Sequence, residues 1–176
     1  MHEANWSLKS LHRLVMTSNT YQMGTTWNAT YAERDVDNLR LWHFPYHRLE
    51  MEVIRDSMLA VSGQLNLEMH GPSMFPKVPA DATRSGYNPG NVWKPFDERN
   101  ASRRTIYAYL KRTFIPPMFD VLDFCDTARS VERRAVSTVA PQALTLLNGE
   151  FVNRQAYHFA QRLIREAGPT PEKQIT

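Results

Sequence analysis

Apolar residues at helical spacing constrain the fold of this chain more than any other feature of its sequence. Leu8, Leu11, Leu14 and Val15 follow that spacing, and they predict a helix over residues 6–17 with one buried stripe. The same spacing recurs in three later segments. We therefore expect the chain to fold mainly as α-helices.

The second helical segment has the clearest pattern. Ile54, Met58, Val61 and Leu65 recur at i, i+4, i+7 and i+11, which predicts a helix over 46–65 with these residues on its buried face. Charged residues four positions apart are expected to form a row along the flank of this helix.

Two further helices are predicted over 141–168. Pro141 suits the first turn of a helix, where its missing N–H removes no intrahelical bond. Asn148-Gly149 divides two helical patterns. This dipeptide is also a hairpin signal, but the helical periods on both sides favour a helix end. A cap-type residue, a proline and an acid then begin 170–176, which we interpret as the start of a severed helix.

The middle of the chain is rich in residues that interrupt regular structure. Residues 70–101 contain three glycines and five prolines, which predict an irregular loop. A loop of this length is often functional, although we favour a family-variable insertion. Alternating side chains over 104–112 suit a strand, with a short helix as the alternative. Residues 119–124 are predicted to form an anchored loop.

The predicted fold class is mainly α: an irregular helical domain with a long Pro/Gly-rich loop and at most one or two short strands. We interpret 1–176 as a partial single domain that is truncated at both ends. Its parts are a helical half, an irregular loop, an extended or loop segment, two C-terminal helices and the start of a severed helix, at 6–65, 66–102, 103–140, 141–168 and 170–176 respectively.

Composition narrows the classes of partner. With 21 cationic and 18 anionic side chains, the net charge of +3 provides no strong field for nucleic acid or anionic lipid. No run of about 18 apolar residues is present to span a membrane. Cys125 is the single cysteine, so the sequence contains no CxxCH motif for haem attachment, and we expect no cofactor in this chain.

The first acidic cluster lies on the predicted helix over 46–65. Glu52 and Asp56 share a face beside Arg55, and two carboxylates near one substrate can act as general acid and base. We favour a salt-bridge network that joins this helix to the 103–112 segment through Arg103 or Arg104, because a catalytic pair usually draws its residues from different elements. If the site is catalytic instead, the weak candidates are Glu52, Asp56 and, from the predicted loop over 119–124, Asp120.

A second acidic pair, Asp120 and Asp123, follows two prolines. Loop carboxylates suit calcium, but we favour capping or pairing with Arg134 and predict no metal site. The full set that we assign to a structural motif or ion-pair network is His12, Arg48, Glu52, Arg55, Asp56, Arg103, Arg104, Asp120 and Arg134.

The histidines and aromatic residues give weaker signals. His43 and His47 have a spacing that a metal can use on a helix, but Pro45 disfavours helix at the residue before it. His12 lies beside an apolar stripe and is interpreted as a satisfied core histidine. Aromatic rings in polar segments can stack on sugars, although we favour the anchoring of loops onto a core. These rings belong to Trp27, Tyr31, Trp42, Tyr87 and Trp93.

Short phrases spread over 6–164 form an ordered set. They are Trp6-Ser7-Leu8-Lys9-Ser10-Leu11-His12-Arg13, Ser18, Tyr21, Arg48-Leu49, Glu52, Arg55-Asp56, Ser62-Gly63, Gly71-Pro72, Arg103-Arg104, Tyr107, Phe119-Asp120, Arg134, Thr138, Ala140-Pro141-Gln142-Ala143-Leu144 and Leu147-Asn148. In this set the chain resembles the C-terminal domain of unknown function of large planctomycete proteins that also carry a cytochrome-c-like domain.

The resemblance implies a multidomain context but no assigned reaction. It implies export to the periplasm or the extracellular space, with haem in an upstream domain of the parent protein. Our first hypothesis is a non-catalytic structural or interaction module whose partners are those upstream domains. The alternative is a hydrolase, or a glycan-processing or glycan-binding domain, that uses the clustered carboxylates and takes polysaccharide as its ligand.

Overall fold

The computed structural model describes residues 6–79, 82, 93, 97–112 and 114–175. The chain divides into two compact units, Met1–Arg48 and Leu49–Thr176. Among the described residues the regular structure consists of helices and isolated bridges without a named strand. The prediction of a mainly α fold with at most one or two short strands is confirmed. The predictions for Tyr87 and for most of 80–96 lie outside the described residues.

The first unit contains helices α1 (Leu8–Met16) and α2 (Ala29–Arg34). The side chain of Ser7 accepts a hydrogen bond from the backbone at the start of α1, so that one orphan N–H is satisfied. The predicted buried stripe on α1 is wrong, because Leu8 and Leu14 are 66% and 70% exposed. Helical periodicity identifies an apolar face, but it carries no information about what covers that face.

The aromatic residues of the first unit pack around Trp42. Its ring lies edge-on to Trp27, with 5.3 Å between the centroids, and its indole N–H donates to the carbonyl of Asp35. Trp42 and His43 are half-buried, whereas Trp27 and Tyr31 are exposed. Trp42 therefore anchors its segment, and the predicted anchoring role fits this ring better than it fits Trp27 or Tyr31.

The second unit begins with α3 (Met51–Val61), which is shorter than the predicted helix. Its buried face also differs from the prediction: Met51, Arg55 and Leu59 are buried, while Val61 is 48% exposed. An apolar pattern cannot locate a face that contains a buried arginine. Hydrogen bonds to the guanidinium compensate for the loss of water there.

The segment between α3 and the C-terminal helices contains α4 (Glu98–Ala101), a 3₁₀ turn (Thr105–Tyr107) and α5 (Pro117–Val121). The predicted strand over 104–112 is wrong, because this part makes only the turn and isolated bridges. The predicted loop over 119–124 is also wrong in its first half. Pro117 begins α5, where a proline fits the first turn of a helix.

Helices α6 (Ala140–Asn148), α7 (Glu150–Ala167) and α8 (Pro171–Gln174) agree with the predicted helical segments at the C-terminal side. Helix α7 packs against both α3 and α6, and α6 also contacts α5. The core of this unit is formed by apolar side chains from α3, from α5 and from the residue after α5, namely Met51, Phe119 and Leu122.

Gly149 is the single residue between α6 and α7. Its φ of −64° is one that any residue adopts. The requirement for glycine therefore comes from the lack of room for a Cβ atom. A Cβ atom at this position would lie 2.4 Å from the carbonyl oxygen of Thr145, and backbone cannot move aside as a flexible side chain can. The tight junction between the two helices therefore requires glycine.

We expect Gly149→Ala to lower the free energy of unfolding by about 2 kcal/mol, because the helices must separate to admit the methyl group. Urea unfolding followed by circular dichroism measures this change. Gly24→Ala is the control, since its Cβ would meet nothing closer than 4.0 Å, and it should change stability by less than about 0.5 kcal/mol. Equal stability of the two variants would contradict the crowding argument.

Candidate functional site

Arg55 and Asp56 join α3 to the segment that follows α4. The guanidinium of Arg55 donates to the carbonyl of Arg103 at 3.1 Å, to the hydroxyl of Thr105 at 3.0 Å and to the carbonyl of Ala101. Asp56 accepts from both the backbone N–H and the hydroxyl of Thr105, at 2.8 and 2.6 Å. These bonds connect residues about fifty positions apart and fix the helix against the turn.

The charge of Arg55 is buried, since the residue is only 2% exposed. Burial lowers the pKa of its guanidinium to about 10, nearby Asp56 opposes that change, and Arg154 adds to it. Arg55 remains cationic at neutral pH. A carboxylate oxygen of Asp56 lies 3.6 Å away and forms an ion pair with it, so a charged partner adds to the three neutral oxygen acceptors.

Glu52 is held by Arg134. The guanidinium of Arg134 donates two bonds, at 2.8 and 2.9 Å, to the two carboxylate oxygens, which is the strong forked arrangement. Burial raises the pKa of Glu52, but the hydrogen bond and charge of Arg134 outweigh that effect and leave the pKa below its ordinary value. Glu52 is therefore a carboxylate at neutral pH, and both its oxygens are engaged.

The two acids near α5 have different surroundings. Asp120 is exposed on α5. Asp123 accepts from the backbone N–H and the hydroxyl of Ser137, at 2.9 and 2.7 Å, and from the side-chain amide of Gln142 at 3.1 Å. Its φ is +61°, a conformation that Asp tolerates better than most residues. Asp123 thereby fastens the segment before α6.

The remaining residues of the predicted network lie elsewhere. Arg103 is buried, but its guanidinium binds backbone carbonyls of 68–72 and lies 4.0 Å from the ring centroid of Tyr107. Arg104 is exposed. His12 is exposed as well, and its interpretation as a satisfied core histidine is wrong because α1 buries none of its residues. Arg48 precedes α3 and belongs to the first unit. The prediction assigned the link with α3 to the side chain of Arg103 or Arg104. In the structure the backbone carbonyl of Arg103 accepts a hydrogen bond from Arg55.

Sequence reasoning missed a second polar contact between helices. The hydroxyl of Ser62, just after α3, donates to the side-chain oxygen of Gln155 on α7 at 2.7 Å, and both residues are buried. Ser62 continues the buried row of Met51, Arg55 and Leu59, at i, i+4, i+8 and i+11. A search for this spacing among polar as well as apolar residues would have found it.

A cavity of about 460 Å³ lies beside this site, between α5, α6, the start of α7 and residues 76–79. Its walls are mainly apolar, and Arg55 forms part of the lining. Glu52, Asp56 and Asp120 are not among its described lining residues, and neither is any Trp or Tyr. The three weak catalytic candidates therefore do not converge on it.

The described residues contain neither a ready metal-ion site nor a membrane-spanning helix. No group of three or more His, Cys, Asp or Glu side chains in that part of the chain is arranged to hold a metal ion. No helix there combines the length and the apolar character that are needed to cross a membrane.

Comparisons with known proteins place the chain in one family. The model of the PSD1 family, whose description is "Protein of unknown function (DUF1553)", matches residues 1–176. No curated protein matches the chain. No solved structure matches it either.

A double-mutant cycle on Glu52 and Arg134 should give a coupling energy of about 1 kcal/mol at pH 7, because the pair is forked and half-buried. The pKa of Glu52 is lower in the folded chain than its ordinary value of 4.5. The coupling is therefore fully present above about pH 4.5. It is lost as the pH falls through the lowered pKa of the folded state.

The pair Arg162–Glu166 serves as the control for this cycle, since its side chains are four residues apart on α7, its carboxylate is 57% exposed and a single bond joins the two. Its coupling should be about 0.3–0.5 kcal/mol. Urea unfolding of the four variants of each cycle, at pH 7 and at pH 3, provides both energies. A coupling between Glu52 and Arg134 that is no larger than the control, or that persists unchanged at pH 3, would contradict the assignment.

Proposed function

This chain belongs to the PSD1 family, and from that premise we propose that it is a non-catalytic structural or interaction module of a larger protein. The proposed parent is an exported, multidomain planctomycete protein with a cytochrome-c-like domain. The proposed partners of this module are the upstream domains of the same parent.

The hydrogen bonds of Glu52 and Asp56 and the lowered pKa of Glu52 support this proposal most directly. Both oxygens of Glu52 are bound by Arg134, and Asp56 accepts two bonds from Thr105. An acid–base pair needs carboxyl groups whose pKa values are driven apart, with one raised towards neutrality. The pKa of Glu52 is instead lowered. These carboxylates brace the fold, which gives the hydrolase alternative less support.

Exposed apolar helix faces support an interaction role. On α6, Leu144 and Leu147 are 57% and 72% exposed. On α7, Tyr157 and Ile164 are exposed as well. Leu144 and Leu147 are three residues apart and therefore neighbours on one face of α6, and exposed apolar neighbours mark sites of protein interaction more often than scattered single residues do. The helices thus present surface that a neighbouring domain can cover.

The remaining parts of the proposal follow from composition and from the family resemblance. From the family resemblance we assign haem to an upstream domain of the parent; this chain itself contains no CxxCH motif. We place the parent in the periplasm or the extracellular space. No nucleic-acid partner is proposed, since the cationic side chains are dispersed and nearly balanced by acids.

The test compares Leu147→Glu with Gln161→Glu in the complete parent protein. Both positions are exposed, on α6 and α7 respectively, and both variants add one negative charge. Leu147→Glu should speed amide hydrogen exchange of α6 by about tenfold, because it opens a docked apolar face. Gln161→Glu should leave that exchange unchanged.

The same exchange measurement on the isolated chain completes the test. There, α6 should exchange as fast in the wild type as in Leu147→Glu, since no upstream domain covers it. If α6 exchanges equally in the parent and in the isolated chain, no partner docks on this face, and the interaction role fails there. Binding of polysaccharide by the parent that is abolished by Glu52→Gln would favour the rival hypothesis.

A further inference from the structure

The cavity of the second unit is large enough and sufficiently enclosed to hold a small molecule. Its volume of about 460 Å³ falls within the range that is usual for such sites, roughly 300–1,000 Å³. The lining extends from Ala101 and Phe119, which are 6% and 2% exposed, to Leu144, which is 57% exposed. The cavity therefore has a closed inner end and opens beside α6.

Rigid apolar groups form much of the wall. Pro76, Pro116 and Pro117 contribute backbone whose φ is fixed by the proline ring. Phe119 and Phe151 add aromatic surface. Because these walls are already ordered, less of the free energy of apolar contact is lost to ordering when a ligand binds.

The charges in the lining compensate one another. Each described cation there forms an ion pair with an acid, and the pairs are Arg55 with Asp56 at 3.6 Å, Arg154 with Glu98 at 3.5 Å, and Lys77 with Glu150. A charged ligand would lose hydration on entry, and among the described lining residues every opposite charge that it meets is already paired. The lining therefore favours a ligand without charge.

We propose that this cavity binds an uncharged small molecule that consists mainly of hydrocarbon, with the hydrocarbon between the proline and phenylalanine walls. Asn148 is an exposed lining residue on α6, and its side-chain amide can donate to or accept from a hydroxyl or amide group of the ligand at the open end. The ligand class is thus that of a medium-chain alcohol or primary amide. This site is separate from the proposed docking function, and its test requires no upstream domain.

Calorimetric titration of the intact chain with 1-hexanol, 1-octanol and 1-decanol tests the proposal. Each alcohol should bind at one saturable site, and the affinity should rise about fourfold for each added methylene, because each methylene buries further apolar surface. Octanoate and octylammonium should bind no more tightly than 1-octanol, since the lining charges are paired. The absence of saturable binding, an affinity that does not grow with chain length, or tighter binding of either ion would overturn the proposal.

A first matched pair of variants locates the site. Val121 is a half-buried lining residue on α5, so Val121→Trp fills part of the cavity. Val131→Trp makes the same change at a position that is 52% exposed and outside the described lining. Val121→Trp should weaken the binding of 1-octanol at least about tenfold, because the larger ring occupies the space of the ligand. Val131→Trp should leave the affinity unchanged.

A second pair covers the case in which Val121→Trp fails to fold. Leu144→Asn makes the lining more polar, and Leu147→Asn makes the same change outside the described lining. Both leucines are exposed, so both variants should keep the circular dichroism spectrum of the wild type. Leu144→Asn should weaken 1-octanol about fivefold through the loss of apolar contact, and Leu147→Asn should not. Equal effects within a pair whose members both fold would place the binding elsewhere and refute the assignment.

Discussion

The buried guanidinium of Arg55 is the interaction on which the second unit depends. Through three hydrogen bonds it fixes α3 against residues 101–105, and Asp56 closes the arrangement through Thr105. A buried cation is costly to leave unsatisfied, since removal of one partner of such a group exposes the full desolvation cost. Arg55 therefore helps to position both the 3₁₀ turn, through Thr105, and Ala101, which lines the cavity.

The remaining polar contacts extend this arrangement outward. Glu52 binds Arg134 in the segment before α6, and Asp123 fastens the same segment through Ser137. At the other end of α3, the hydroxyl of Ser62 donates a hydrogen bond to Gln155 of α7. The apolar core of Met51, Phe119 and Leu122 is small. In a unit of this kind, specific polar bonds define the packing of the helices more than apolar volume does, because each bond has a fixed geometry.

The sequence predicts the helices well where local physics determines them. A proline at a helix start and glycine at a helix end mark α6 and α7 without any tertiary information. The strand predicted over 104–112 fails, because Thr105–Tyr107 form a 3₁₀ turn and only isolated bridges, such as that between Met74 and Ala108, follow it. The site is predicted only in part. The sequence predicts a charged row on α3 that contains Glu52 and Asp56. Two of the three acceptors of Arg55 are backbone carbonyls, which no residue type reveals.

The pattern on α3 shows the limit most clearly. Ile54, Met58 and Val61 form the apolar row, yet the buried row contains Arg55 and ends in Ser62. Hydrophobicity alone selects the wrong face of this helix. The exposed leucines of α1 and α6 show the converse case, in which the pattern finds an apolar face but the face is exposed in the part of the chain that the structure describes.

A backbone hydrogen bond of Asn66 closes the base of the connection between α3 and α4. Its backbone N–H donates to the carbonyl of Ser102, so the chain leaves and re-enters the helical framework at neighbouring points. The entropy of closing such a loop grows only logarithmically, by about 0.6 kcal/mol for each doubling of its length. A longer or shorter connection would therefore cost little closure entropy, provided that the bonds of Arg103 to the carbonyls of 68–72 are kept.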